Sequence, residues 1–145
     1  MTKFICKINY LKQAENGTIA RATDQYVVDA LSFTECESNL QEHLEAVIPE
    51  YNLVAMAMSD INDVVIDASR DKFVKVGISF VAADADSGKE KKMTEKYLVQ
   101  SDTVEEAISK IKVRMEGSIM DWTIKSTSVT PVVDYFQVPE VVMVD

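Results

Sequence analysis

Alternation of apolar and polar side chains opens each half of the chain. Because successive side chains of a strand point to opposite faces, this pattern predicts a β-strand with one buried face in each half. A turn signal follows each strand, Asn16-Gly17 in the first half and Ser87-Gly88 in the second. These signals predict two hairpins, with return strands at residues 26–28 and 97–99. The predicted buried positions are Phe4, Cys6, Ile8 and Tyr10 in the first half, and Val74, Val76, Ile78 and Phe80 in the second.

After each hairpin the apolar period changes to that of an α-helix. An S/T-x-x-E capping box, in which hydroxyl and carboxylate each accept a bond from a backbone amide, begins both helices, at residues 32–35 and 103–106. Pro49 is expected to end the first helix and Gly117 the second. The stripes predicted to face the core are Phe33, Cys36, Leu40, Leu44 and Val47, and Val104, Ala107, Ile111 and Met115. A third strand is predicted at 51–58 and 122–130, and a fourth extended piece near 61–66 and 132–136.

The two halves repeat one another. Residues 26–36 correspond to residues 97–107 at a constant offset of 71, and the turn glycines Gly17 and Gly88 keep the same offset. Upstream of the turn the offset is 70, so one residue is inserted in the connecting loop, where insertions are cheap. We therefore predict an α+β fold with two tandem β-β-α-β(β) repeats packed as an intrachain pseudo-dimer. The predicted organisation is a single domain of repeats 1–69 and 70–138 with a C-terminal tail at 139–145.

Composition places the chain among ordinary globular proteins. Of its 145 residues, 47% are hydrophobic and 27% are charged, which is too apolar for a disordered chain. No apolar run approaches the roughly 20 residues of a membrane helix, and the first residues lack a signal-peptide core. Two cysteines, Cys6 and Cys36, are too few for a disulfide scaffold, so we expect a reducing, cytoplasmic location.

Charge argues against general affinity for nucleic acid, because the net charge is −9 and phosphate contacts need Lys and Arg. The bases are unevenly spread, however. The one dense basic run comprises Lys89, Lys91, Lys92 and Lys96. This run is explained either by a solvated hairpin or by an edge that contacts phosphate groups.

Residues that carry recognisable chemistry are scarce. His43 is the sole histidine, and neither it nor the cysteines have the spacing of a zinc site. Both cysteines lie on predicted apolar faces and are expected to be small buried hydrophobes. With four glycines and no glycine-rich motif, the chain has no phosphate-binding loop. We therefore predict a non-enzymatic protein without a cofactor or a metal site.

Three segments carry a family resemblance over nearly the full length of the chain. They are residues 4–7, residues 26–35 and the run from Ser87-Gly88-Lys89 to Gln100. Through them the chain resembles an uncharacterised domain-of-unknown-function family of Bacteroides-type gut bacteria and their phages. This resemblance implies family membership and transfers no catalytic residue.

The predicted architecture is also similar to the Pur-type and Whirly-type tandem repeats that bind single-stranded nucleic acid. Those repeats run four strands and then a helix. The strands from 51 to 99 followed by the helix from Thr103 have that order, whereas the first half has two strands before its helix. The likeness implies a fold class and is a weak warrant for function.

Three function classes fit these patterns. The first is binding of single-stranded DNA or RNA through a basic and aromatic sheet face, with Phe73, Tyr97 and Trp122 as candidates for stacking on bases. Its predicted contact residues are Lys7, Lys72, Phe73, Lys75, Lys89, Lys91, Lys92 and Lys96. The second is a protein-interaction module or homodimer that uses the apolar C-terminal residues Val141, Val142, Met143 and Val144. This segment is expected either to cap the edge of the chain's own sheet or to add a strand to the sheet of a partner. The third is a small-ligand or nucleotide site in the groove between the repeats.

Overall fold

The structure is a computed structural model that describes residues 1–83 and 85–138. Its described elements are eight strands and two helices, which form two four-stranded sheets with one helix each. In chain order they are β1 (Thr2–Gln13), β2 (Ile19–Ala30), α1 (Phe33–Leu44), β3 (Asn52–Met58), β4 (Asp63–Val65), β5 (Phe73–Ala83), β6 (Glu90–Gln100), α2 (Val104–Arg114), β7 (Asp121–Val129) and β8 (Val132–Phe136). The predicted α+β class and the repeated β-β-α-β order are confirmed.

Both predicted hairpins are present. Strands β1 and β2 pair antiparallel from Thr2↔Ala30 to Gln13↔Ile19, and β5 pairs with β6 in the same way. The turn glycines have positive φ angles, +83° at Gly17 and +68° at Gly88. Side chains with a Cβ rarely adopt this backbone conformation, which explains why glycine follows Asn or Ser at each turn.

Each helix begins at its predicted hydroxyl cap. The Ser32 Oγ accepts a hydrogen bond from the Glu35 amide at 3.1 Å, and the Thr103 Oγ1 accepts one from the Glu106 amide at 3.1 Å. In α2 the Glu106 carboxylate accepts bonds from Arg70 and Lys110 side chains. It therefore joins an ionic cluster in addition to marking the start of the helix.

The first helix is shorter than its apolar stripe predicts. It ends at Leu44 and is followed by a turn in which the amides of Val47 and Ile48 both bond to the Leu44 carbonyl, at 2.9 and 2.7 Å. Val47 is consequently 75% exposed, and Phe33 in the first turn is 47% exposed. Both residues were expected to face the core, so the stripe is corrected to its three central members, Cys36, Leu40 and Leu44.

Each helix packs on its own sheet. The first core joins α1 to β1 and β2, and the second joins α2 to β5 and β6. The first core contains Phe4, Cys6, Ile8, Tyr26, Val28, Ala30, Cys36, Leu40 and Leu44. The second contains Val74, Val76, Ile78, Phe80, Tyr97, Val99, Ala107, Ile111 and Met115. The alternation and helical periods of the sequence therefore identify the helix-facing side of each sheet.

The fourth strand of each sheet comes from the other half of the sequence. Strand β4 follows the first repeat but pairs in parallel with β6, with Asp63 opposite Tyr97. Strand β8 follows the second repeat but pairs in parallel with β2, with Asp134 opposite Tyr26. The sheet orders are β3-β1-β2-β8 and β4-β6-β5-β7. The first compact unit is therefore Met1–Ser59 together with the chain from Val132, and the second is Asp60–Pro131.

A polar network holds β8 in the first unit. The Lys3 ammonium lies 3.0 Å from a carboxylate oxygen of Asp29, and the Tyr135 hydroxyl donates to the other oxygen at 2.6 Å. The side chains of Lys3 and Asp29 are only 11% and 8% exposed. Because a buried charge that loses its partner is costly, all three groups depend on one another.

A different ionic cluster fixes the segment after β4 in the second unit. The Lys110 ammonium contacts the Asp67 carboxylate at 2.7 Å and the Glu106 carboxylate at 3.0 Å, and also donates to the Gln100 carbonyl. The hydrogen bond from Lys110 lowers the pKa of Asp67 well below its ordinary value. Arg114 of α2 in turn forms an ion pair with Asp63 of β4.

Substitution Tyr135→Phe tests the network that holds β8. It removes the hydrogen bond that the hydroxyl donates to Asp29 and the one that it accepts from Lys3. We therefore expect a loss of at least about 1.5–3 kcal/mol in the free energy of unfolding, measured by urea denaturation. Tyr51→Phe is the control, because the described residues supply no hydrogen-bond partner for that hydroxyl. The control should change stability by less than about 0.5 kcal/mol. Equal effects of the two substitutions would contradict the role assigned to Tyr135.

Candidate nucleic-acid interface

The second sheet has one face covered by α2 and an opposite face that is polar over much of its area. Alternation along β5 places Lys75, Gly77 and Ser79 on this opposite face, because Val74, Val76, Ile78 and Phe80 face the helix. The same alternation places Lys92, Thr94 and Lys96 of β6 on it. We call this surface the polar face of the second unit. It is the surface on which the sequence predicted nucleic-acid contacts.

The polar face is open toward the hairpin and closed at its other end. Thr94 of β6 and Thr123 and Ser126 of β7 are exposed near the hairpin. At the start of β5, by contrast, Phe73 is 1% exposed, and Leu98 of β6 is fully buried. Only the half of the face next to the hairpin can therefore receive a ligand.

The predicted stacking rings do not lie on the open half. Phe73 presents no ring face to a base because it is buried, so its predicted role as a stacking residue is corrected. Tyr97 lies on the helix side of β6 and is 7% exposed, and Trp122 packs half-buried against the second core. The period-2 pattern assigned Phe73 to the correct face but carries no information on which end of that face is covered.

The eight predicted contact residues are divided between the two units, with Lys7 in the first and the other seven in the second. Lys7 is half-buried in β1, in the other sheet. Lys72 precedes β5 at the end opposite the hairpin, roughly 30 Å from it at about 3.3 Å per residue. Lys75, Lys92 and Lys96 lie on the polar face, with Lys92 at its hairpin end, and Lys89 and Lys91 lie near the tip of the hairpin.

Lys75 is engaged by an acidic neighbour. Its ammonium lies 2.5 Å from an Asp60 carboxylate oxygen, and this hydrogen bond lowers the pKa of Asp60. The charge of Lys96 lowers it further. Asp60 therefore offsets part of the positive charge of the polar face.

The lysines of the second hairpin form the cationic group whose charge is least offset by acidic partners among the described residues. Lys89, Lys91 and Lys92 are exposed, and within residues 1–83 and 85–138 none of them forms an ion pair. Lys91 is opposite Ala82 and Lys92 is opposite Val81, so the two side chains project from opposite sides of the ribbon. Lys92 and Lys96 share the polar face, about 13 Å apart along β6. We call Lys89, Lys91, Lys92 and Lys96 the hairpin lysines.

Gly77 keeps the centre of the polar face flat. A Cβ atom there would lie 2.4 Å from the Ser126 Oγ and 3.5 Å from the Lys96 Nζ. The side chains of Lys96 and Ser126 therefore lie over the glycine. Asn62 also fixes β6 at this point, because its side-chain oxygen accepts from the Lys96 amide at 2.7 Å. The sequence alone does not identify Ser126 or Asn62 as neighbours of Lys96. They come near it only because β7 pairs with β5 and β4 pairs with β6.

The remaining reactive side chains have structural roles in the first unit. His43 stacks on Phe136 at a centroid distance of 4.5 Å, and its Nδ1 lies 2.8 Å from the Asn39 carbonyl, which requires a proton on that nitrogen. Cys6 and Cys36 are fully buried with their sulfur atoms 3.2 Å apart, and burial raises the pKa of both thiols. Thiolate chemistry is therefore disfavoured at this pair. Among the described residues, no three His, Cys, Asp or Glu side chains are grouped in a way that could hold a metal ion.

A cleft of about 670 Å³ lies in the first unit, between the start of β3 and α1. Its walls include Tyr10, Arg21, Glu37 and Tyr51, so aromatic rings and both signs of charge meet there. The volume suits a small molecule. The sequence predicted a ligand site in the groove between the repeats, however, and this cleft is lined by residues of the first unit alone. The residues predicted to bind a protein partner, Val141, Val142, Met143 and Val144, lie outside the described residues.

The fold defines an α+β protein whose described residues form two units, each with a four-stranded sheet and one helix. The chain belongs to a family described as a domain of unknown function (DUF4494), which matches residues 2–138. Membership of an uncharacterised domain family is thereby confirmed. No curated protein and no solved structure matches the chain. In the described parts of the chain, no helix is both long and apolar enough to span a membrane.

Substitution Lys75→Met tests the electrostatics of the polar face. Loss of the hydrogen bond from Lys75 should raise the pKa of Asp60 toward its ordinary value of 3.8, measured by NMR titration of the carboxyl carbon. A depressed pKa stabilises the fold above the ordinary pKa, and this contribution is lost as the pH falls through the depressed value. The variant should therefore lose less stability on acidification. Lys91→Met is the control and should leave Asp60 unchanged; an unchanged Asp60 in Lys75→Met would refute the pairing.

Proposed function

We propose that the protein is a non-enzymatic binding module for single-stranded nucleic acid, and that the hairpin lysines of the second unit contact the phosphate backbone. The observation that carries this proposal is the exposure of Lys89, Lys91 and Lys92 at one hairpin without an acidic partner among the described residues. Exposed cationic side chains that lie close in sequence without counter-ions favour a polyanionic ligand.

The distribution of charge supports this placement. Residues 1–69 hold 4 bases and 11 acids, whereas residues 70–125 hold 11 bases and 10 acids. A polyanion is therefore repelled by the first repeat and tolerated by the second. Since the whole chain carries −9, binding must be local to the hairpin and sensitive to salt.

The open half of the polar face supplies the second set of contacts. Ser79, Thr94, Thr123 and Ser126 offer hydroxyl groups that can donate to phosphate or sugar oxygens. Because Phe73 and Tyr97 are buried, the roughly 1–3 kcal/mol per base that aromatic stacking contributes is missing at these residues. We therefore expect moderate affinity with little dependence on base sequence.

Reversing two hairpin charges tests the proposal by fluorescence anisotropy with labelled single-stranded DNA and RNA. In the double variant Lys91→Glu, Lys92→Glu, binding at low salt should weaken by about tenfold or more, because two attractive contacts become repulsive. A plot of the logarithm of the binding constant against the logarithm of the salt concentration has a negative slope. This slope should become less steep by about 1.4, at roughly 0.7 for each of the two lost phosphate contacts.

The control variant carries Lys12→Glu and Lys112→Glu, two exposed lysines outside the proposed surface. Both double variants change the net charge by four, from −9 to −13, so a general charge effect would weaken them equally. A selective loss in the hairpin variant supports the proposal. Equal loss in both variants, or no binding by the wild type at low salt, would refute it.

A further inference from the structure

The third strand of the first repeat stops short of the hairpin beside it. Strand β3 pairs with β1 only as far as Asn52 opposite Asn9, whereas β1 continues to Gln13. In the second sheet the corresponding strand β7 pairs two residues further along its neighbour, with Asp121 opposite Val81. The first repeat therefore leaves an opening beside the end of β1, and the cleft of about 670 Å³ described above lies in this opening.

Two tyrosine rings line the helix side of the cleft. Tyr10 continues the alternation of the buried side chains of β1, and Tyr51 packs against the same core from the segment before β3. Both side chains are half-buried, so each ring contacts the core with one part and the cleft with another. The face of an aromatic ring attracts cations, because it carries the negative part of the ring quadrupole.

Two carboxylates lie in the same cleft. Glu37 of α1 and Glu50 before β3 are exposed, and within residues 1–83 and 85–138 neither forms an ion pair. Burial raises the pKa of the Tyr51 hydroxyl, and the negative charge of Glu37 raises it further. The Glu37 carboxylate is therefore close enough to Tyr51 for both to contact one ligand.

Arg21, the basic residue among those that line the cleft, comes from the other face of the sheet. It is opposite Leu11 in the register of β1 and β2, and Leu11 directly follows Tyr10. Because successive side chains of a strand alternate between faces, Arg21 lies on the face away from α1. The helix side of the cleft therefore combines aromatic rings with negative charge.

We propose that this cleft binds a small organic cation, an amine that carries an aromatic ring. The ammonium group pairs with Glu37 beside the two tyrosine rings, and the aromatic ring of the ligand packs on the apolar side chains of Pro49 and Leu53. The charge of the surrounding chain favours such a ligand, since residues 1–69 hold 11 acids and 4 bases. The site has the opposite charge preference to the hairpin lysines, so this inference goes beyond the proposed function and does not depend on it.

Titration with phenethylammonium tests the proposal, with backbone amide shifts measured by NMR. We expect saturable shifts at residues 9–11 and 49–53, with a dissociation constant on the order of millimolar or tighter, because the ligand is small and the cleft is open. Neutral phenylethyl alcohol and anionic phenylpropionate are similar in size. Both should bind about tenfold more weakly or worse, since neither carries the positive charge that the carboxylate and the rings attract.

Glu37→Gln should weaken the binding of phenethylammonium by about fivefold or more, because it removes the charge of the carboxylate and keeps the size of the side chain. Glu42→Gln is the matched control. Glu42 is an exposed acid of the same helix that is not among the residues lining the cleft, and each substitution removes one negative charge. The control should bind like the wild type.

Circular dichroism establishes that each variant is folded, and Glu50→Gln, at the second carboxylate of the cleft, replaces Glu37→Gln if that variant is not. Failure of phenethylammonium to bind, shifts concentrated outside the cleft, equal binding of the neutral alcohol, or equal loss in the two variants would each overturn the proposal. Tighter binding of phenylpropionate that is lost in Arg21→Gln would also overturn it, because the cleft would then be an anion site.

Discussion

The parallel pairing of a distant strand at each sheet is the constraint on which the described architecture depends. Strand β2 receives β8, and β6 receives β4, at the same relative register. Every other strand pair comes from a single repeat, and antiparallel hairpins form from local sequence. Parallel neighbours require a longer connection, so neither sheet reaches four strands until the other half of the sequence contributes.

Local signals predicted most of the elements, and non-local relations account for what they missed. Capping residues, turn glycines and alternation identified both hairpins, both helices and the helix-facing sides of the sheets. No local signal indicates that β4 pairs with β6 and β8 with β2, because each of these strands follows its own repeat in the sequence. The same limit applies to Phe73. The alternation along β5 placed it correctly on the face opposite the helix, but its burial depends on tertiary structure. Val47 was mistaken for a core residue because the helix ends before it.

Divergence between the two repeats is more informative about function than their likeness. Lys3 in β1 is paired with Asp29, and the corresponding opening position of β5 is the buried Phe73. Basic side chains concentrate at the second hairpin, whereas the cleft beside Glu37 belongs to the first unit. Duplication thus supplies two similar scaffolds, and the proposed nucleic-acid contact and the proposed amine site lie on different ones. Both proposals rest on exposed charged side chains that the core does not require.

The most direct measurement of the central claim is NMR mapping of backbone amides during titration with a short single-stranded oligonucleotide. The account predicts shifts concentrated at residues 89–96 and at Ser79 and Ser126, with the first unit nearly unchanged and the shifts suppressed by salt. Shifts concentrated in the cleft near Tyr10 and Tyr51, or none at low salt, would contradict the assignment of the hairpin lysines as the binding surface.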